Sequence, residues 1–168
     1  MIVKGKAFIM PDERFNDINT DEMLSGPYMR IPEEELRFHA FEGIVDDFYE
    51  KTKDLDILIA GENTGCGSSR EQAPKALIGC GIKLIIAPSF GYIFSRNSMN
   101  LGLVLLKTDE IETVKKMAKE ELTVDLKKGI ITNTLGETLT VEPLDEMRLK
   151  ILSAGGLMMF LKNGGTFE

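Results

Sequence analysis

The chain has 168 residues, 43% of them hydrophobic and 28% charged, which fits a single folded domain spanning 1–168 and excludes a fibre or a chain too polar to bury a core. Its formal net charge of −7 argues against nucleic-acid and membrane-surface binding, which need a basic stripe, but allows a local cationic pocket drawn from Arg30, Arg70 or Arg96. No apolar run reaches membrane-spanning length and residues 1–10 carry no signal-like apolar core, so the cytoplasm is the expected location.

In chain order, residues 2–10 read as a first strand that alternates imperfectly around Gly5. Pro11, Asp12, Asn16, Asp17 and Asn19 then supply turn chemistry, and Asp17 to Asp21 reads as an Asx-rich turn. Gly26 and Pro27 punctuate a loop over 25–30. Pro32 followed by Glu33, Glu34 and Glu35 predicts a helix start, with Leu36, Phe38, Phe41 and Ile44 as its apolar content. His39, the one histidine, has no ligand-spaced neighbour and is read as a surface or structural residue. Residues 46–54 read as a polar connection anchored by Phe48 and Tyr49.

Leu55 to Ala60 reads as a buried strand, Gly61 to Pro74 as a glycine-rich turn opening a helix, and Ile82 to Ala87 as a second buried strand. This βαβ unit predicts parallel strands, with a ligand site beyond their carboxyl ends. The turn reads GENTGCGSSREQAP. Its glycines permit close approach to backbone N–H groups, Ser68 and Ser69 bring hydroxyls, and Arg70 brings a planar fork of donors, together a place for a carboxylate or phosphate. The competing reading is that Ser68 or Ser69 caps the helix with Glu71 or Gln72 in return. The Gly-Lys-Ser/Thr ending of a triphosphate loop is missing.

Further on, Ser89 predicts the cap of a helix to about Asn100, residues 103–106 a buried strand, and Asp109 the cap of a helix to about Glu120 with Ile111, Val114, Met117 and Ala118 on its core face. Residues 122–125, 130–133 and 138–142 predict a meander of hairpins. Asp145 predicts the cap of a helix broken at Gly155 and Gly156, before a last amphipathic segment over 157–162. The pattern is α/β, in the sense of a mixed α+β domain. Cys66 and Cys80 are too few for a four-iron cluster and fit no zinc spacing, so both are read as free thiols, with Cys66 packing as a small hydrophobe.

The glycine loop resembles the signature loop of the aconitase swivelling domain, in particular the small subunits of isopropylmalate isomerase (3-isopropylmalate dehydratase) and of archaeal-type homoaconitases. Asp17 to Asp21, Gly26 to Arg30, Ser89-Phe90 with Arg96-Asn97, and Ala154 to Leu157 match in the same order. The resemblance implies a β/β/α layered swivelling domain acting as a free-standing subunit. It also implies a hydro-lyase that interconverts 2-isopropylmalate and 3-isopropylmalate in leucine biosynthesis, or a homoaconitase or dimethylmalate dehydratase. A plain anion-binding module or a purely structural subunit is the reading from a different class.

By the same resemblance Ser68 is the base. Arg70, Arg30, Ser69 and Gly67 bind substrate, and Gly61, Asn63, Gly65, Asp21 and Asn97 support the loop. Donors around Ser68 are expected to lower its pKa. Spacing alone does not separate Ser68 from Ser69. The implied partner is a large subunit carrying a [4Fe–4S] cluster, with no metal in this chain and a small di- or tricarboxylate as substrate. Thr64, Gln72, Met29, Ile31 and Gly91-Tyr92 depart from the family's usual text, which leaves the substrate open.

Overall fold

The computed structural model describes residues 1–167. In chain order the elements are β1 (Ile2–Gly5), β2 (Ala7–Ile9), α1 (Thr20–Met23), α2 (Phe48–Thr52), β3 (Ile57–Ile59), α3 (Gln72–Gly79), β4 (Leu84–Ala87), α4 (Tyr92–Leu101), β5 (Val104–Lys107), α5 (Ile111–Met117), β6 (Leu122–Asp125), β7 (Ile130–Asn133), β8 (Thr138–Thr140), α6 (Glu146–Ser153) and α7 (Leu157–Lys162). Short 3₁₀ segments cover Asp12–Arg14, Gly26–Arg30 and Glu33–His39.

Two four-stranded sheets organise them, one parallel in the order β2-β3-β4-β5 and one antiparallel in the order β1-β6-β7-β8. The predicted βαβ unit is present, with Ile57 opposite Leu84 and α3 crossing between the strands. Every residue of β3 and β4 is buried, as an unbroken apolar run requires when both faces of a parallel sheet are covered. Ala73, Ala76 and Leu77 of α3 are buried with them, and one continuous apolar cluster runs from Val3 to Leu152 through both sheets.

Several boundaries differ from the sequence reading. The single strand expected over 2–10 is two strands in two sheets. At Gly5 the Asp56 side chain fills the place of a Cβ, and the Lys6 carbonyl accepts from the N–H groups of Asp56 and Ile57, so the chain changes partners there. The helix expected from Pro32 is a 3₁₀ segment ending at His39, because Phe41 takes a left-handed φ of 55° while its ring is fully buried. Part of the polar connection over 46–54 is α2. Two expected caps fail: α4 starts at Tyr92 after Gly91, and α5 at Ile111 after Glu110, whose N–H is taken by Thr108 Oγ1 at 3.2 Å. The meander is present, although its third strand stops at Thr140, and Asp145 caps α6 by accepting from Arg148 N–H at 2.8 Å.

Candidate active site

The turn beyond β3 is woven between two other segments at the carboxyl ends of the parallel strands. On one side Gly61 N–H donates to the Phe15 carbonyl at 2.7 Å, Gly65 N–H to the Ile18 carbonyl at 2.7 Å, and Thr20 N–H to the Cys66 carbonyl at 2.9 Å. On the other, Thr64 N–H donates to the Ser89 carbonyl at 3.1 Å and Gly91 N–H to the Thr64 carbonyl at 2.9 Å. Asn63, in the left-handed region at φ 55°, donates through Nδ2 to Asp17 Oδ1 at 2.9 Å and through its backbone to Ser89 Oγ at 2.7 Å. Ser89 is therefore a loop anchor and not a helix cap. Gly65 has φ 79°, and a methyl there would overlap the Phe94 ring; a methyl on Gly91 would overlap the Gly65 carbonyl. These are the close approaches that demand glycine.

Past Gly67 the support changes from backbone to side chain. Thr20 Oγ1 donates to the Ser68 carbonyl and lies 3.1 Å from Ser68 Oγ. Ser68 Oγ donates to Asp21 Oδ1 at 3.1 Å, and the same oxygen pairs with Arg70 Nη1 at 3.0 Å. Arg70 Nη1 also donates to the Leu24 carbonyl at 3.1 Å, while Nε and Nη2 make no hydrogen bond among the described residues. The planar Nε–Nη2 edge is thus unbonded, in a side chain that is 19% exposed, and Gly26 lies beside it, where a Cβ would touch Nη2 at 3.9 Å. Asp21 is held by α1, whose N-terminus carries a capping box: Asn19 Oδ1 accepts from Asp21 and Glu22 N–H at 2.9 Å each, and Glu22 Oε2 accepts from Asn19 N–H at 3.0 Å.

Two expectations about the serines are overturned. Neither Ser68 nor Ser69 caps α3, which starts at Gln72 after Glu71 with no side-chain cap. The surroundings of the Ser68 hydroxyl are also not the cluster of donors expected to depress its pKa. A carboxylate faces it instead, so its proton points at a base. Ser69 and Gly67 are exposed beside it, with Gly67 at φ 94° near Asn19 and Thr20.

The remaining predicted site residues divide. Gly61, Asn63, Gly65 and Asp21 are in the loop assembly. Arg30 is exposed at the end of the Gly26–Arg30 segment and makes no ion pair among the described residues. Asn97 lies on α4 and makes no hydrogen bond to the loop, and Arg96 faces a separate cavity of about 710 Å³ between α4, β5 and residues 142–152. The Gly26–Arg30 segment is fastened by Tyr28, which stacks on His39 with ring centroids 3.7 Å apart. Glu42 joins both, with His39 Nδ1 3.2 Å away, and its hydrogen bond from Tyr28, then that of His39, holds its carboxyl below the usual range while raising Tyr28. Thr20 and the Leu24 carbonyl were not singled out from sequence. The Asn-x-x-Glu spacing at Asn19 and Glu22 was the legible sign that a capped helix begins there.

The Aconitase C-terminal domain model matches residues 13–111. The chain belongs to the aconitase C-terminal domain family. It is 44% identical over 161 residues to the 3-isopropylmalate dehydratase small subunit 1 of Archaeoglobus fulgidus, covering 95% of this chain and 96% of that protein. It is 42% identical over 165 residues to the methanogen homoaconitase small subunit of Methanocaldococcus jannaschii, covering 96% and 92%. The crystal structure of 3-isopropylmalate dehydratase from M. jannaschii superposes with a TM-score of 0.82 at 41% identity, over 98% of this chain and 95% of that one. The family resemblance and the mixed α/β fold class read from the sequence are both borne out.

The two cysteines of this aconitase-family domain sit in different surroundings. Cys80 is buried, its Sγ 3.4 Å from the Arg37 carbonyl, and burial pushes its thiol up to about 12. Cys66 is half-buried, donates to the Asp17 carbonyl at 3.5 Å, and is raised first by burial and then by the Asp17 charge. Among the described residues no group of three or more His, Cys, Asp or Glu side chains is placed to hold a metal ion. No helix is long and apolar enough to cross a membrane.

Proposed function

We propose that this chain is the small subunit of a hydro-lyase that isomerises 2-isopropylmalate and 3-isopropylmalate by dehydration and rehydration. The observation that carries the reading is the meeting of the Ser68 hydroxyl and the Arg70 guanidinium on one Asp21 oxygen, with the Nε–Nη2 edge of Arg70 left unbonded. A substrate carboxylate would take that edge as a bidentate pair, which fixes the substrate's rotation as well as its position. Ser68, two residues away, would take the carbon-bound proton.

The Lewis acid for the departing hydroxide is assigned to a [4Fe–4S] cluster on a larger partner subunit, which would close over the exposed loop and exclude water. The substrate's variable end would meet the Met29-Arg30-Ile31 segment clasped by Tyr28, His39 and Glu42. We place the protein in the cytoplasm, as one domain over 1–168. Homoaconitase small subunit is the second reading, favoured by an identity of 42% to such a protein, close to the 44% of the first.

The test is co-purification with an iron–sulfur large subunit of the same family under anaerobic conditions, followed by assay on 3-isopropylmalate, homocitrate and citramalate. Turnover of 3-isopropylmalate above the other two is the expected result. Preference for homocitrate selects the second reading, and binding of carboxylates without turnover would reduce the chain to an anion-binding or structural subunit.

A further inference from the structure

We propose that Asp21 is the immediate proton acceptor for Ser68, so that proton abstraction runs as a two-step relay and not through a standing alkoxide; this rests on the reading of Ser68 as the base. Two contacts meet on one Asp21 oxygen and a third is made to the serine itself. Ser68 Oγ–H is directed at Asp21 Oδ1 at 3.1 Å, Arg70 Nη1 lies 3.0 Å from that oxygen, and Thr20 Oγ1 lies 3.1 Å from Ser68 Oγ. A free serine alkoxide beside a carboxylate would be opposed by like charge. A serine that passes its proton to that carboxylate while receiving another never becomes a full anion.

The step balances as follows. The substrate C–H bond breaks and its proton bonds to Ser68 Oγ, as the Ser68 O–H bond breaks and that proton bonds to Asp21 Oδ1. The electron pair of the C–H bond becomes the new C=C bond as the C–O bond breaks and its pair leaves with hydroxide, for which a Lewis acid on a partner subunit would be the acceptor. Rehydration returns both protons along the same line. Among the described residues Arg70 is the one charged side chain at contact distance from Asp21, and its Nε–Nη2 edge is the part left unbonded for a substrate carboxylate. Thr20 and Ser68, the other groups against Asp21 and its loop, are uncharged.

Asp21→Asn is nearly isosteric and keeps an acceptor oxygen for both Ser68 and Arg70, but cannot take a proton. In the reconstituted complex, on whichever of the three substrates is turned over, kcat should fall by ~10²-fold or more, with KM changed less than about threefold. Loss of the Cα proton to deuterated solvent should slow in parallel, and the primary deuterium isotope effect on kcat should rise. Asp21→Glu should recover part of kcat. Size-exclusion of the complex and thermal melting confirm that each variant is folded and assembled.

Near-normal kcat in Asp21→Asn with an inactive Ser68→Ala overturns the relay and leaves Ser68 as the base. A raised KM with unchanged kcat also overturns it, by making Asp21 only a strut for Arg70. An active Ser68→Ala, or no turnover of any substrate, overturns the underlying reading itself and the relay with it.

Discussion

Replacing Arg70 by lysine isolates geometry from charge. Arg70 spends Nη1 on Asp21 and the Leu24 carbonyl and keeps its Nε–Nη2 edge free, so the wild-type site offers a bound carboxylate two parallel N–H donors from a group already held in place. Each charge-assisted bond of this kind contributes about 1.5–3 kcal/mol. Lysine restores one strong point contact but cannot serve Asp21, Leu24 and a planar ligand at once. The net loss is then about 1.5–3 kcal/mol, or roughly 10- to 150-fold in KM at 1.4 kcal/mol per decade.

Fold stability should fall by no more than about 1–3 kcal/mol, because the Asp21 end of the ion pair is 57% exposed, whereas the Arg70 side chain is 19% exposed and also bonds the Leu24 carbonyl. The assay is steady-state turnover by the reconstituted complex, with thermal melting of the isolated chain as the control. A KM within twofold of wild type, in a folded variant, would refute the bidentate contact.

Ser68→Ala should lower kcat by ~10²-fold or more with KM nearly unchanged, as removal of a positioned base does, and steady-state kinetics on the complex would show it. Gly65→Ala forces a methyl into the Phe94 ring and an L residue into φ 79°, so a loss of about 2–4 kcal/mol in urea unfolding is expected; a loss under about 0.5 kcal/mol would mean the loop can shift. Cys80 titrates near 12 in the fold and near 9 when unfolded, so between those values the unfolded chain sheds a proton that the native chain keeps. Stability is therefore full below about pH 9 and falls by about 1.4 kcal/mol per pH unit above it. Urea midpoints at pH 8 and pH 10 should fall less in Cys80→Ala than in wild type, and equal falls would remove this thiol from the alkaline limb.

What could be read from the sequence was local. Residues 55–87 announce a buried strand, a glycine turn, a helix and a second buried strand, because apolar runs flanked by glycine leave few other solutions, and the structure has them in parallel register. Ser68 and Arg70 stood out because they sit inside that turn. Asp21 was named only through the family resemblance, as loop support; its contact with Ser68 was not legible, since the two are 47 positions apart and an aspartate among turn residues has many commoner uses. The same competition explains the failed caps. Ser89 has a hydroxyl suited to a helix N-terminus, but the backbone N–H of Asn63, brought by the tertiary fold, claims it at 2.7 Å. The change of sheet at Lys6 was hidden because its cause, the Asp56 side chain against Gly5, is a contact between distant segments.

The loop's two halves have different physical characters, and the difference bears on function. Residues 61–66 exchange backbone hydrogen bonds with 15–20 on one side and 89–91 on the other, including the isolated bridges Asn19 to Cys66 and Thr64 to Phe90, so they share the rigidity of the parallel sheet. Residues 67–70 make no such backbone bonds among the described residues, and their contacts pass through Thr20, Asp21 and the Leu24 carbonyl. Side-chain contacts can exchange partners at little cost, whereas a backbone seam cannot. A ligand carboxylate arriving at Arg70 therefore meets a base and an anchor carried by α1 on a fixed frame, free to redistribute charge around Asp21 without moving the sheet beneath.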